Sequence, residues 1–297
     1  MHDVVIIGGG PSGLSAALAL GRARKRVLLC DAGPRRNAAA VQMHNFVTRD
    51  GTQPEEFRRI ARGQLATYAN VEVRDTGVVA IAGERNAFTV RLGVDDEVRA
   101  RRILLATGMV DEMLPIEGFR ELWGHSIFQC PYCHGWEIQD HHWGFLVHPS
   151  HAAHAAPFAM MARGFTTRGL TVFGELPDDV GAQLRAADIA IAAAPVRRLV
   201  ARDGQLTAVE LADGTAVACE ALFVQPPQRQ VALVDSLGLA VEEGYLRIDP
   251  ATRETSRPGI YASGDLTTRM QSAIIAAASG MQAAAVLNME LSADMRS

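Results

Sequence analysis

The feature that most constrains this chain is a βαβ pattern at its N-terminus. An apolar run of strand length, Val4 to Ile7, leads into a glycine-rich turn, and apolar residues then recur at helical spacing. A second buried strand, Arg26 to Asp31, completes a unit of about 30 residues. The turn reads Gly8-x-Gly10-x-x-Gly13, in which the first glycine makes the turn, the second admits a pyrophosphate and the third lets helix and strand pack closely. The pattern predicts a dinucleotide site on a mostly parallel α/β sheet.

The surroundings of this turn support the same prediction. Pro11 and Ser12 open the helix, so its first N–H groups would face the phosphates. Asp31 ends the second strand about 20 residues further on, where a carboxylate can accept hydrogen bonds from ribose hydroxyls and disfavours a 2′-phosphate. A glycine-rich turn in an unrelated α/β domain is the alternative, and the position of Asp31 argues against it.

The rest of the chain predicts a second, inserted domain. Two more buried strands end on small residues, at Thr107-Gly108 and at Gly264-Asp265. The block between them has its own short strands, and an alanine-rich helix over 270–289 then returns to the first domain. We therefore predict an α/β protein of two Rossmann-like three-layer domains. Residues 1–114 and 241–297 would form a discontinuous nucleotide-binding domain, and 115–240 the insert.

Composition excludes several functional classes. The 297 residues are 48% apolar, enough for two cores, while a net charge of -4 and a pI near 6.1 give no basic surplus for nucleic acid. The N-terminus lacks a signal-peptide pattern, and no apolar stretch is expected to reach the ~20 residues that span a bilayer. We expect a cytoplasmic protein that binds neither nucleic acid nor membrane.

The cysteines separate into two kinds. Cys30 and Cys219 are far from any partner in sequence and are predicted to be inert buried thiols, whereas Cys130-Pro131-Tyr132-Cys133 is a close pair. Such a pair is typical of redox catalysis or of half a zinc site. Seven histidines between His125 and His154 keep zinc open as the competing interpretation, but their spacing argues against it, and we predict no metal.

The order of these motifs resembles that of the thioredoxin reductases. The glycine turn, Ala106-Thr107-Gly108, the cysteine pair and Gly264-Asp265 follow one another as in that family, almost end to end. The resemblance implies FAD rather than NAD at the first site, and homodimers formed through the FAD domain. It also implies further cofactor-binding residues: Gly264 and Asp265 at the ribityl and phosphate portion of FAD, Gln271, Ser272 and Ala273 at the start of the helix beside the flavin ring, and Asn45 in the flavin domain.

The same resemblance implies roles for the cysteine pair and exposes a departure. Cys133 would be the flavin's partner and Cys130 the thiol that exchanges with substrate. Thioredoxin reductases usually place an acid after the second cysteine, whereas this chain has His134. Cys-Pro-Tyr-Cys-His-Gly-Trp-Glu is similar to dithiol oxidases that close disulfides in small metabolites such as gliotoxin and holomycin. With an ordinary pKa of ~6.5, His134 could act as base toward a substrate thiol.

The second nucleotide site of thioredoxin reductases is predicted to be degenerate. After the strand 143–147 the chain reads His148-Pro149-Ser150-His151-Ala152-Ala153, without a glycine, and 174–179 is acidic where a 2′-phosphate would need cations. NADPH is therefore doubtful, although binding by an unfamiliar route stays open. Electrons would enter from a small-molecule dithiol and leave to O2. The alternatives are a reductase of a protein disulfide fed by NADPH, ferredoxin or another flavin, and a redox-sensing scaffold.

Overall fold

The computed structural model describes residues 1–93 and 96–294 and divides into two compact units. Unit 1 comprises residues 1–38, 46–110 and 228–297, and unit 2 comprises 39–45 and 111–227. Unit 2 ends 13 residues before the end of the predicted insert, 115–240, and Val234 and Leu239 are buried in the core of unit 1. The predicted insert also omits 39–45. The last three residues of the predicted segment 241–297 lie outside the described residues.

Short strands and helices alternate along the chain. The strands are β1 (His2–Ile7), β2 (Val27–Cys30), β3 (Val71–Arg74), β4 (Val78–Ala82), β5 (Phe88–Leu92), β6 (Asp96–Leu105), β7 (Val110–Asp111), β8 (Ile127–Phe128), β9 (Trp143–Leu146), β10 (Leu170–Phe173), β11 (Ala190–Ala192), β12 (Val196–Arg202), β13 (Gln205–Leu211), β14 (Ala216–Ala218), β15 (Ala221–Val224), β16 (Gln228–Arg229), β17 (Val241–Glu242), β18 (Tyr245–Leu246) and β19 (Ile260–Ala262). The helices are α1 (Pro11–Arg22), α2 (Pro54–Leu65), α3 (Phe119–Leu122), α4 (Pro131–His134), α5 (Ala155–Arg163), α6 (Asp178–Ala186), α7 (Ala232–Ser236) and α8 (Ala273–Ala293). Residues Pro149–His154 and Asp265–Thr267 form 3-10 helices.

The sheet of unit 1 brings the predicted cofactor motifs to one edge. Strands β3, β2, β1 and β6 are parallel neighbours, and β19 lies parallel to the second half of β6. Ile7, the last residue of β1, is opposite both Cys30 and Leu105, and Leu105 is opposite Ala262. The carboxyl ends of β1, β2, β6 and β19 are therefore level, and ligands of open α/β sheets bind at this edge.

Alternating burial explains the layers of unit 1. One face of the sheet, which carries Val4 and Ile6, packs against α1 and α8, while the opposite face, which carries Val5 and Ile7, packs against β5 and α7. Period-two alternation sends neighbouring strand residues to opposite faces, so both faces of this apolar strand are buried. The predicted α/β class is confirmed.

Unit 2 repeats the layered plan with different coverings. Its five strands are all parallel in the order β11-β10-β9-β15-β8. Helices α5 and α6 bury one face over Phe145 and Val172, whereas the antiparallel strands β12–β14 cover the other face over Phe173 and Leu222. The cysteine pair lies in unit 2, on the segment between β8 and β9.

Helix α8 corrects one expectation from the sequence. It runs over 21 residues, three residues later than the predicted start, and by length and composition it is apolar enough to cross a membrane. No apolar stretch of that length was expected. Core helices share this composition, so one such helix is weak evidence for a span. Its inner face, which includes Ala283, Ala284, Leu287 and Leu291, is buried in the core of unit 1.

Candidate functional site

The glycine turn after β1 has the shape that a pyrophosphate requires. A Cβ on Gly8, whose φ is +117°, would lie 2.2 Å from the carbonyl oxygen of Ala106, and a Cβ on Gly13 would lie 1.9 Å from that of Gly8. Around Gly10, by contrast, no atom would come within 4 Å of a Cβ. Gly10 precedes α1 without a side-chain cap, so the first N–H groups of the helix are directed to this open side. The residues fit a dinucleotide phosphate here.

Asp31 lies at the carboxyl end of β2 and is engaged by two neighbours. Its Oδ2 accepts a hydrogen bond from Arg58 of α2, and its Oδ1 accepts one from the backbone of Gly33 at 3.1 Å. Both partners of the ion pair are 9% exposed as side chains. A Cβ on Gly9 would lie 2.2 Å from the same carboxylate, so a third glycine of the turn is required. Gly9 and Arg58 do not belong to the motif, so the sequence did not predict them.

A second pair of predicted motifs meets the first turn. Ser12 and Ser263 share a hydrogen bond of 2.7 Å between their hydroxyls, although they are far apart in sequence. The backbone of Gly264, with φ of +82°, donates to Ser279 of α8 at 2.8 Å. Thr107 and Gly108 follow β6 at the same edge of the sheet. The structure therefore brings the predicted glycine turn and the Gly264 turn together.

A polar network extends from Asp265 to the start of α8. Arg36 donates to the carboxylate of Asp265 at 3.0 Å and to the side-chain oxygen of Gln271. Gln271 and Gln228 are joined through their amides at 3.0 Å. Ser272, predicted to lie within the first turn, is instead the N-cap of α8, accepts from Ile275 at 3.3 Å, and is followed by Ala273 as the first helical residue. Arg36 and Gln228 had no recognisable signal in the sequence.

The cysteine pair caps and begins a four-residue helix. Cys130 is the N-cap of α4, and the backbone of Cys133 donates to its carbonyl at 3.1 Å. Both thiols are half-buried, whereas Cys30 and Cys219 are buried, as predicted. Burial raises the pKa of Cys30 to about 12 and raises that of Cys219 as well. Thiolate chemistry is accordingly suppressed at the two buried sulfurs.

Exposed aromatic side chains lie within the cysteine turn and just beyond it. Tyr132 is 61% exposed and packs edge-on against Phe165, at 5.2 Å between ring centroids. Trp136, three residues beyond Cys133, is 76% exposed. An apolar ring left in water at this position provides a surface on which a flat or apolar ligand can stack.

His134 is enclosed. Its ring stacks on Phe128, with centroids 4.4 Å apart and planes 25° from parallel, and neither ring nitrogen has a hydrogen-bond partner among the described residues. Burial is the main cause that lowers its pKa, while Glu137 raises it and His44 lowers it. The backbone of Cys130 also raises the pKa, without meeting the geometry of a hydrogen bond. A neutral imidazole with an available lone pair is favoured near pH 7.

The segment 39–45 contacts the cysteine turn within unit 2. Asn45, with φ of +62°, donates from Nδ2 to the carbonyl of Tyr132 at 2.6 Å. Nε2 of His44 lies 3.5 Å from a carboxylate oxygen of Glu137. The resemblance assigned Asn45 to the flavin domain, whereas its contacts group it with unit 2, and its role toward FAD stays a prediction. His44 and Glu137 were missed, since only folding brings them together.

The turn after β9 has no glycine that would let a pyrophosphate approach the backbone. His148 caps the 3-10 helix over 149–154, and its Nδ1 accepts from the backbone of Ser150 at 3.3 Å. Pro149 is the first residue of that helix and has no N–H to offer a phosphate. Across residues 1–93 and 96–294, no group of three or more His, Cys, Asp or Glu side chains could hold a metal ion.

Known proteins share this arrangement over nearly the whole chain. The family model described as pyridine nucleotide-disulphide oxidoreductase matches residues 2–147 and 174–280. The thioredoxin reductase tcpT of Claviceps purpurea (strain 20.1) is 31% identical, over 99% of this chain and 95% of the relative. The crystal structure of HlmI is 35% identical, with a TM-score of 0.90 over 99% of this chain and 94% of the other. A putative thioredoxin reductase, TrxB from Bacillus anthracis, is 31% identical, with a TM-score of 0.91 over 98% of this chain and 99% of the other.

Proposed function

Because the chain belongs to the pyridine nucleotide-disulphide oxidoreductase family and is an FAD enzyme, we propose that it oxidises a small-molecule or peptide dithiol to a disulfide with O2 as acceptor. The observation that carries this proposal is the cysteine turn. The half-buried thiols of Cys130 and Cys133 are followed in the chain by His134, an enclosed imidazole whose lowered pKa favours its neutral form, and by the exposed Trp136. The family's usual acid after the second cysteine is replaced by a base.

The residues that would hold FAD are those at the carboxyl edge of the unit 1 sheet. The Gly8–Gly13 turn and α1 would take the pyrophosphate, Asp31 the adenosine ribose, and Asp265 and Gln271 the flavin half. Thr107, Gly108, Gly264, Ser272 and Ala273 lie around the same edge. Bound there, FAD would supply a two-electron acceptor for the cysteine pair and a donor of electrons to O2.

The thiol chemistry proceeds by exchange on the cysteine pair. A substrate thiolate attacks the sulfur of Cys130 in the Cys130–Cys133 disulfide, forming a mixed disulfide and releasing Cys133 as thiolate. The second substrate thiolate then attacks the substrate sulfur of the mixed disulfide. This attack closes the substrate disulfide and releases Cys130 as a thiolate. His134 accepts the proton of an attacking thiol. Overall, one dithiol and one O2 give one disulfide and one hydrogen peroxide.

Several features support thiols, rather than NADPH, as the electron source. The turn after β9 has Pro149 where a glycine-lined approach would be needed, and Glu175, Asp178 and Asp179 follow β10. The family model also leaves residues 148–173 unmatched, which include that turn. Anionic side chains repel a 2′-phosphate.

Reduction of a protein disulfide is the second candidate function. It is favoured by the name thioredoxin reductase that two of the relatives above carry. In that case the electrons would run from NADPH, ferredoxin or another donor toward the cysteine pair.

The proposed oxidase is a cytoplasmic homodimer. Four cysteines, of which only Cys130 and Cys133 are close in sequence, are too few for a disulfide scaffold and fit a reducing compartment. The outer side of α8 carries an exposed apolar stripe, which we define as Ile274, Ala278, Met281, Ala285 and Met289. Residues at this spacing lie on one side of a helix, as in helix pairs across an interface.

Anaerobic mixing of the holoenzyme with NADPH, NADH and dithiothreitol in parallel tests the direction of electron flow. We expect dithiothreitol alone to bleach the flavin band, and air to restore it with formation of hydrogen peroxide. Cys133→Ser should abolish oxygen uptake, whereas Cys30→Ala, at a buried thiol of unit 1, should retain it. Rapid bleaching by NADPH would instead establish the reductase.

A further inference from the structure

The ring that covers His134 belongs to the core of unit 2. Phe128 is the last residue of β8, is 6% exposed, and lies opposite Phe223 in the register with β15. The centroids of these two rings are 6.0 Å apart, and Phe223 in turn packs against Trp143 of β9 at 4.5 Å. Side chains of a close-packed core keep one orientation on the time average. Phe128 is therefore a fixed surface built on the sheet, whereas His134 ends the four-residue helix α4.

The contact with Phe128 orients the imidazole of His134. The two ring centroids are 4.4 Å apart, and the ring planes are 25° from parallel. Both ring nitrogens are buried, and neither has a hydrogen-bond partner within the described part of the chain. A functional histidine is commonly oriented by a hydrogen bond from its second nitrogen to a carbonyl or a carboxylate. Because the described residues supply no such bond, the aromatic stack is left to fix the plane of this ring.

We propose that Phe128 is a positioning residue that holds the ring of His134 in place for proton transfer and keeps water from its nitrogens. This role rests on the proposed function. When a substrate S–H gives its proton to a ring nitrogen of His134, the S–H bond breaks, an N–H bond forms, and a thiolate and an imidazolium result. A lone pair that no water and no other donor occupies is free to accept that proton. Phe128 acts through His134 and takes no part in the exchange at sulfur.

Two substitutions, Phe128→Leu and Phe128→Met, keep an apolar side chain in the core and remove the stacked ring. Burial is the main cause that lowers the pKa of His134, so water admitted to the ring should raise that pKa toward its ordinary value. Glu137 and His44, the side chains whose charges also act on this pKa, are retained in every variant. The acid limb of the reaction should therefore move to higher pH. Loss of the fixed orientation should lower the rate above that limb by about tenfold.

The matched control is Phe158→Leu, which removes a ring from the same core. Phe158 of α5 contacts Phe145, rather than His134, at the same centroid distance of 4.4 Å. This variant should lower the melting temperature and leave both the pKa of His134 and the pH profile unchanged. Phe128→Tyr keeps the stacked ring and should stay near the wild type in both measurements.

The primary measurement is an NMR titration of the imidazole of His134 in the holoenzyme, with the signal assigned through His134→Gln. The second is the rate of anaerobic flavin reduction by dithiothreitol across the pH range in which His134 titrates. The titration needs no substrate, so it measures the effect of Phe128 on the ring whether or not the enzyme oxidises dithiols.

Two outcomes separate this inference from the proposed function. An unchanged pKa of His134 in Phe128→Leu and Phe128→Met, or an equal change in Phe158→Leu, would overturn the positioning role of Phe128, whatever the enzyme oxidises. A pKa raised only in the two variants without the stacked ring, combined with a wild-type flavin that dithiothreitol does not reduce, would support the effect of Phe128 on His134 and overturn the dithiol oxidase.

Discussion

Two adjacent arginines of α2 show how differently neighbouring residues can contribute. Arg58 is buried and pairs with Asp31, whereas Arg59 is 70% exposed and pairs with Glu56 at the surface. Removing one partner of a buried ion pair leaves an uncompensated charge, while an exposed pair is largely screened by water. The Asp31 carboxylate at the cofactor edge therefore depends on Arg58.

We expect Arg58→Ala to lower the free energy of unfolding by about 3–5 kcal/mol, because it leaves the Asp31 carboxylate buried and unpaired. It should also weaken retention of FAD. The control, Arg59→Ala, should leave the melting temperature nearly unchanged. Thermal unfolding and FAD release measured on both variants check this, and equal losses would contradict it.

At the residue scale, glycines are predictable from the sequence where the backbone leaves no room for a side chain. Gly8 and Gly13 could be predicted because a side chain at either position would collide with backbone. Arg36, Arg58 and His44 could not, since arginine and histidine are ordinary surface residues until tertiary contacts give them partners.

At the scale of elements, the contact of α1 with α8 supports the glycine turn. A Cβ on Gly280 would lie 2.1 Å from the carbonyl oxygen of Ser12, so the two helices meet with almost no separation. Ser12 also shares a hydrogen bond with Ser263, which lies beside the Gly264 turn. A side chain at position 280 would displace Ser12, which belongs to the predicted cofactor turn.

We expect Gly280→Ala to cost about 1–3 kcal/mol of stability through overpacking and to accelerate release of FAD. Gly63→Ala is the matched control, because Gly63 lies within α2 and a Cβ there meets no atom within 4 Å. That control should gain about 0.5–1 kcal/mol, since alanine is the better helix former. Chemical denaturation of both variants measures their free energies of unfolding. A stabilising effect of Gly280→Ala would contradict the close contact of the two helices.

The boundaries of the elements followed local pattern better than the boundaries of the units. Strands β1 and β2 lie within two residues of the apolar runs that predict them, because short buried strands are bounded by turn residues. Helix α8 begins later than predicted because Ser272 caps it. Its alanine-rich sequence contains few signals that would fix its bounds.

At the scale of the whole molecule, the stripe on α8 is the surface that a second copy would cover. Met281 and Met289 are 52% and 65% exposed, and Ile274 is 39% exposed. A run of apolar side chains on one helix face is unfavourable in water and favours an interface. A symmetric pair of such helices would bury the stripe on both copies.

We expect Met281→Glu to convert the proposed homodimer into a monomer, because each copy would bring a carboxylate into the apolar contact. Light scattering coupled to size-exclusion chromatography measures the change. Met160→Glu, at a 40% exposed methionine of α5, should remain dimeric. A monomeric wild-type protein would contradict the dimer. Binding of the wild-type protein to lipid vesicles, if Met281→Glu abolished it, would contradict the dimer as well.

The sequence by itself determined the α/β class and the glycine turn, and it predicted a redox role for the cysteine pair and a degenerate second nucleotide site. Each of these depends on local chemistry: a glycine that no other residue can replace, two cysteines three residues apart, or a proline without an N–H. Only the tertiary structure decided that unit 2 includes 39–45, that Asp31 is held by Arg58, and that His44 pairs with Glu137. Those relations join residues distant in sequence, and no local pattern records which of many similar side chains will meet.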